Sequence, residues 1–192
     1  MKVLILSGDF VEDYELFAPL KALEMLGIDS HVVCPDKEEG DTIQTAIHIV
    51  EGWQTYSERL GHPFTLTYTF ANINLSDYAG LIVPGGRFPE YQRNDERVLD
   101  IVKHFFARNL PVAAICHGLQ ILAAADVLKD RSCSAFPMCK SDVTSAGGNY
   151  IHFEAFSKNA HVDGNLVSAP AYNAIGMWMR EFIKLLNVKL QL

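Results

Sequence analysis

The stretch VAAICHGLQIL, residues 112–122, sets one cysteine between an apolar run and a glycine. Val112 to Ile115 read as a strand buried on both faces, the form strands take in a parallel sheet. From Gly118 onward the apolar spacing is that of a helix. Cys116 therefore stands where a strand gives way to a helix. A strand–turn–helix unit is the building block of open α/β sheets, and such sheets bind ligands at the carboxyl ends of their strands.

The same rhythm runs through the rest of the chain. KVLILS near the start is a buried strand, and in the segment after it Leu16, Leu20, Leu23 and Leu26 fall at helical spacing before a stop at Gly27. Pro19 lies inside that pattern and predicts a late start or a bend, because it has no N–H to donate. DSHVVC is a second strand, YAGLIVPGG a third, and NDERVLDIVKHFFARN a helix with Val98, Ile101, Val102 and Phe105 on one face. LPVAAIC and HGLQILAAADVL follow, then CSAFP, a short helix over 139–146, and the extended pieces NYIHF and HVDGNLVSA. The last helix spans about 171–187, with Ile175, Met179, Phe182 and Leu186 sharing a face. The reading is one domain over 1–192: α/β and doubly wound, with a mostly parallel sheet and helices on both faces.

Residues 36–74 break the rhythm. HIVEGW and FTLTYTF alternate as strands with QTYSERLGHP between them, which predicts an inserted β-hairpin flap over about 41–70.

Bulk properties narrow the function. The net charge of −7, from 16 basic and 23 acidic residues, argues against nucleic-acid or anionic-membrane partners. No apolar run is long enough to span a bilayer, and MKVLILSGDF lacks a cleavage region, so a cytoplasmic location is expected. Cys34, Cys116, Cys133 and Cys139 form no CxxC pair and are read as reduced thiols. The seven histidines show no i, i+4 pairing, so no metal site is expected.

Three loops should meet at the carboxyl edge of the sheet, carrying Glu15, then Gly85, Gly86 and Glu90, then Cys116 and His117. A lone cysteine ending an apolar run is ordinarily core. Here Ala114 and Gly118, at −2 and +2, permit the tight turn of a nucleophile elbow. A thiol at a helix start is expected to have a lowered pKa. The N–H groups of His117 and Gly86 are candidate oxyanion donors. Glu15, in the apolar context YELFAP, is either a solvated first-turn carboxylate or a protonated partner of the thiol. His117 adjoins Cys116, and the two can pair only through an unusual turn. Glu90 could orient His117, within the chain or from a second subunit.

These residues, together with GDFVEDYELFAP, LIVPGGRFPEY, VAAICHGLQILAAADVLKDR and VDGNLVSAPA, resemble the DJ-1/PfpI family over essentially the whole chain. The insertion looks most like the plant DJ-1D type, whose members carry two such domains in tandem where this chain has one. The resemblance implies a flavodoxin-like fold with a nucleophilic Cys116, a protonated Glu15 touching it, His117 as acid/base and Glu90 as its orienting carboxylate, supplied across a subunit interface in the protease-like branch. It also implies a homo-oligomer, dimer or hexamer. The glutamine amidotransferases share the fold but use a late His-x-Glu pair, which NLVSAPAYNAIG lacks.

The function that follows as an expectation is a cofactor-free, glutathione-independent glyoxalase, or a related deglycase. Its substrate would be a small 2-oxoaldehyde such as methylglyoxal, converted to lactate. Trp53, Tyr56 and His62 are the flap's candidate substrate contacts. An intracellular cysteine peptidase and a redox-sensing or chaperone-like stress protein stand as alternatives, since both would use the same thiol.

Overall fold

The computed structural model describes residues 1–154 and 157–188; residues 155–156 and 189–192, the last four of the expected domain, lie outside it. The chain begins with β1 (Lys2–Leu6), β2 (Val11–Glu12), α1 (Asp13–Met25) and β3 (Asp29–Val33). Then come β4 (Thr42–Ile49), β5 (Ser57–Thr65), β6 (Gly80–Val83), α2 (Phe88–Gln92), α3 (Glu96–Ala107), β7 (Val112–Ile115) and α4 (Leu119–Ala124). It closes with β8 (Ser132–Cys133), α5 (Lys140–Ser145), β9 (Asn149–Tyr150), β10 (His161–Asp163), β11 (Leu166–Ala169) and α6 (Ile175–Leu185).

The central sheet has the order β10-β11-β7-β6-β1-β3. Every pairing is parallel except β10 with β11, an antiparallel edge turned at Gly164. Without that edge the order is the flavodoxin-like 2-1-3-4-5, with its switch point between β1 and β6. The register sets the carboxyl ends level. Ile5 lies opposite Ile82, Ile82 opposite Ala113 and Ala113 opposite Val167. The loops after β1, β6 and β7 therefore emerge side by side. β6 and β7 are buried along their whole length, which is why GLIV and VAAI carry no polar side chain. Helix α3 packs Val98, Ile101, Val102 and Phe105 into the core, and α6 packs Trp178, Met179 and Phe182.

Four sequence expectations are corrected. Helix α1 starts at Asp13, six residues before Pro19, and runs through it. The Glu12 side chain caps its first turn, accepting from the Glu15 N–H at 2.9 Å, and a buried Pro19 packs on the core side. The helix after the cysteine is short, six residues behind a 3₁₀ turn over Cys116–Gly118. NYIHF supplies only a two-residue strand, paired with β8 outside the central sheet. In the flap, the strands are Thr42–Ile49 and Ser57–Thr65, so most of QTYSERLGHP is strand rather than turn.

The flap itself is a hairpin of β4 and β5, tied to the body where β4 pairs in parallel with β2. A bulge between Gln44 and Ala46 shifts its register. Its consequence is an inversion of the usual pattern: Ile47 is exposed and His48 is buried.

Candidate active site

Cys116 follows directly on β7 and has φ of +56°, the left-handed region that a side chain enters only under constraint. The constraint comes from close packing on both sides. A Cβ on Gly118 would lie 2.4 Å from the Val83 carbonyl oxygen, and one on Gly85 would lie 2.6 Å from the Cβ of Cys116. Only glycine fits at either place. Phe136 N–H donates to the Cys116 carbonyl at 3.3 Å and secures the turn from the far side.

This elbow brings together three groups named from the sequence. Cys116 Sγ lies 3.2 Å from Nδ1 of His117, so the strained turn does make the adjacent pair meet. Glu15 is fully buried, and its Oε2 accepts from the Gly85 N–H at 2.7 Å. Its Oε1 has no hydrogen-bond partner among the described residues. Burial, and then the neighbouring Glu12 carboxyl, push the Glu15 pKa well above the usual carboxylate range, so Glu15 carries a proton. The His117 ring is stacked on Phe136 at 5.1 Å and meets the edge of Tyr56 at 5.5 Å. Burial and the nearby His48 pull its pKa down to about 4, leaving a neutral imidazole.

The expected lowering of the thiol pKa is not found. Burial and the Glu15 carboxyl push the Cys116 thiol up, opposed by the His117 backbone N–H. The six-residue α4 is too short to hold a thiolate by its dipole against that burial. The resting sulfur is a thiol, with a neutral imidazole placed to receive its proton. Of the two expected oxyanion donors, the His117 N–H faces the sulfur, and the Gly86 N–H donates to no other backbone group among the described residues. Gly86 has φ of +92° and is pinned by Arg87 N–H donating to the Phe10 carbonyl at 2.8 Å.

The thiol opens on a cavity of about 10 Å³, room for one water at most. Glu12, Glu15, His48, Tyr56, Phe136 and Tyr172 line it with Cys116. Tyr56 is the one flap contact named from sequence that reaches it. Trp53 is 69% exposed at the hairpin tip. His62 sits on the outer side of β5, its Nδ1 3.3 Å from Asp13 Oδ1, beside a separate hollow formed with Phe17 and Pro63. Trp53 and His62 are therefore not pocket residues. Glu90, on α2, is exposed and makes no hydrogen bond to His117 among the described residues. A larger hollow of about 580 Å³ near Asp36, Phe70 and Arg97 shares no residue with the thiol's cavity.

The sequence reading missed His48 and Glu12. His48 stacks on Tyr56 at 4.1 Å, and its Nε2 lies 3.5 Å from Glu58 Oε2 without a hydrogen bond. Both Glu58 oxygens accept from Arg87, at 3.0 and 2.6 Å, a fork that ties β5 to the loop after β6. The chain's His-x-Glu pair, His152 and Glu154, was also overlooked. It is exposed and bonded to itself at 3.2 Å, away from the cavity. Cys34, Cys133 and Cys139 are buried thiols with pKa values raised chiefly by burial. Among the described residues no group of His, Cys, Asp and Glu is arranged to hold a metal ion. No helix there is long and apolar enough to cross a membrane.

Comparison with known proteins agrees with this fold. Residues 1–185 match the profile of the DJ-1/PfpI family. Protein DJ-1 homolog D of Arabidopsis thaliana is 45% identical over 188 residues, 98% of this chain and 48% of that protein. The chain thus spans about half the length of that relative. A Pyrococcus abyssi protein named a deglycase is 36% identical over 97% of this chain and 100% of its own length. In three dimensions the fold matches a two-domain protein with DJ-1/ThiJ/PfpI-like and ferritin-like domains from Anabaena variabilis. The TM-score is 0.81 at 22% identity, covering 100% of this chain and 51% of that one. With an elbow cysteine, a buried carboxyl and a switch-point cavity at one sheet edge, and with these matches in sequence and fold, the chain belongs to the DJ-1/PfpI family.

Proposed function

We propose that the chain is a cofactor-free, glutathione-independent glyoxalase that converts small 2-oxoaldehydes such as methylglyoxal to 2-hydroxy acids. The observation that carries this reading is the closed cavity. It is lined by a thiol and a protonated carboxyl and has almost no free volume, and the neutral His117 imidazole lies 3.2 Å behind the sulfur. The deglycase name of the archaeal relative supports chemistry on the same class of carbonyl compound.

The residues divide the work as follows. Nδ1 of His117 takes the thiol proton as Cys116 Sγ bonds to the aldehyde carbon C1. The imidazolium returns that proton to the C1 oxygen, giving a hemithioacetal, while the backbone N–H groups of His117 and Gly86 hold the developing oxyanion. His117 then removes the C1 hydrogen as Glu15 gives its proton to the C2 oxygen, forming an enediol. His117 delivers its proton to C2, Glu15 recovers one from the C1 hydroxyl, and a thioester remains. Water attacks the thioester carbon, the 2-hydroxy acid leaves, and the thiol is restored. Each proton given by Glu15 or His117 comes back, so the net reaction adds one water.

A peptidase is less well served, because Cys116 is only 3% exposed and the hairpin covers it. Glu90 enters the site only if a second copy of the chain supplies it. The test is lactate formation from methylglyoxal without glutathione, for wild type and Cys116→Ala. Saturable turnover that the substitution abolishes supports the reading. An inert wild type with an alkylatable thiol refutes it and directs attention to peptide substrates.

A further inference from the structure

The cavity holds a second buried carboxyl that the reaction above leaves unused. Glu12 ends β2, is 1% exposed and lines the same cavity as Glu15 and Cys116. It is linked to Glu15 by more than proximity. One of its oxygens accepts from the Glu15 backbone N–H at 2.9 Å, and its own N–H donates to the Gly85 carbonyl at 3.1 Å. Gly85 in turn donates to Glu15 Oε2 at 2.7 Å. Glu12, through its N–H, and Glu15, through its carboxyl, therefore hold the two backbone groups of Gly85, and the Glu12 carboxyl raises the Glu15 pKa.

Two such carboxyls cannot both be ionised. Their environments differ. Glu12 is the helix cap, so it faces the unbonded N–H groups at the start of α1, which favour a carboxylate. Glu15 receives one N–H, and its Oε1 is buried with no partner among the described residues, an arrangement that suits a carboxylic acid.

We infer that Glu12 is a positioning carboxyl that shares one proton with Glu15 and fixes that proton on Glu15, facing the Cys116 sulfur. The groups around it agree with this. Burial raises the Glu12 pKa to about 7, with Asp13 adding to the rise and the amides of Glu15, His48 and Tyr14 opposing it. Glu15 is pushed up as well, by burial and then by the Glu12 carboxyl, and the amides at the helix start mark Glu12 as the one that ionises first. His48 on β4, Tyr172 after β11, Cys116 in the elbow and Asp13 on α1 are the other titratable groups facing it. Neutral His48 supplies no compensating charge. Without the Glu12 carboxylate, Glu15 would give up its proton at lower pH.

The inference deepens the glyoxalase reading, and its test does not depend on turnover. The protonated-carboxyl stretching band is followed by infrared spectroscopy across a pH titration of wild type, Glu12→Gln, Glu12→Asp and Glu15→Gln. Wild type should keep one such band above neutral pH, and Glu15→Gln should remove it. Glu12→Gln, which retains a capping oxygen, should move its midpoint down by about a unit, a tenfold change in the proton affinity of Glu15. Glu12→Asp, which keeps the charge, should restore most of the wild-type midpoint. An unmoved midpoint in Glu12→Gln overturns the inference. So does a band that survives Glu15→Gln and vanishes in Glu12→Gln, since the proton would then sit on Glu12. Should methylglyoxal turnover be absent while the band behaves as expected, the reading of the substrate fails and the carboxyl pair stands.

Discussion

The sulfur of Cys116 and Nδ1 of His117 lie 3.2 Å apart although the residues are neighbours in sequence. Side chains of adjacent residues normally diverge, and the contact exists because Cys116 takes φ of +56°. That conformation costs a side-chain-bearing residue about 1 kcal/mol. The expectation is that Cys116→Gly and Cys116→Ala both abolish 2-oxoaldehyde turnover, while the glycine variant is the more stable of the two in urea unfolding. An alanine variant as stable as the glycine one would show that the elbow stores no strain.

Gly85 separates the nucleophile from the acid. A Cβ there would lie 2.6 Å from both Cys116 Cβ and Glu15 Oε2, and 2.9 Å from the His117 nitrogen. Gly85→Ala should cost about 1–3 kcal/mol through overpacking. It should also lower kcat/KM by roughly tenfold or more, because reacting groups displaced by a fraction of an ångström lose their alignment. Gly176→Ala is the matched control. Nothing lies within 4 Å of a Cβ there, in the first turn of α6, so stability should hold or rise. Loss of activity in the control would point to an effect of substitution in general.

The contrast between Cys116 and His48 shows what the sequence made legible. Cys116 was visible because apolar run, cysteine and glycine sit in consecutive positions, and parallel strands and their loops follow local pattern. Glu15 and His117 were visible for the same reason. His48 was hidden by the bulge at Gln44/Ala46, which reverses the alternation of β4 and turns a polar residue inward beside an outward Ile47. Glu12 looked like one of several acidic residues in VEDYE, and only the meeting of β2 with the loop after β6 buries it. Trp53 and His62 were misplaced because aromatic content marks a flap without saying which side of it faces the pocket.

The fork from Arg87 to Glu58 fastens the flap over a cavity too small for substrate as it stands. Both side chains are partly exposed, so the pair should contribute no more than about 1 kcal/mol to stability. Its larger effect should be on access. Arg87→Lys, which cannot form the fork, should leave the melting temperature within a few degrees while raising the rate of Cys116 alkylation by iodoacetamide several-fold. Equal alkylation rates in wild type and variant would mean that the flap does not limit entry.

The buried histidines give the site an acid limit that can be signed. His48 and His117 both have pKa values lowered to about 4, chiefly by burial, against an ordinary 6.5. Between those values the unfolded chain binds protons that the folded chain refuses. The stability they allow is thus present above about pH 6.5 and is lost as pH falls toward 4, by at most about 3 kcal/mol per histidine. Glu12 works the other way in the same window. Its raised pKa favours the folded state below about 4.5 and withdraws that contribution as pH climbs through 7. The wild-type profile should therefore be flatter than either kind of group alone would make it. His48→Gln removes one histidine and leaves the carboxyls, so its stability relative to wild type should rise as pH is lowered from about 7 to 4, measured by urea unfolding at each pH. A difference that stays constant over that range would mean that His48 binds its proton equally well in the folded and unfolded chains, and the desolvated, aromatic-stacked imidazole described above would have to be abandoned.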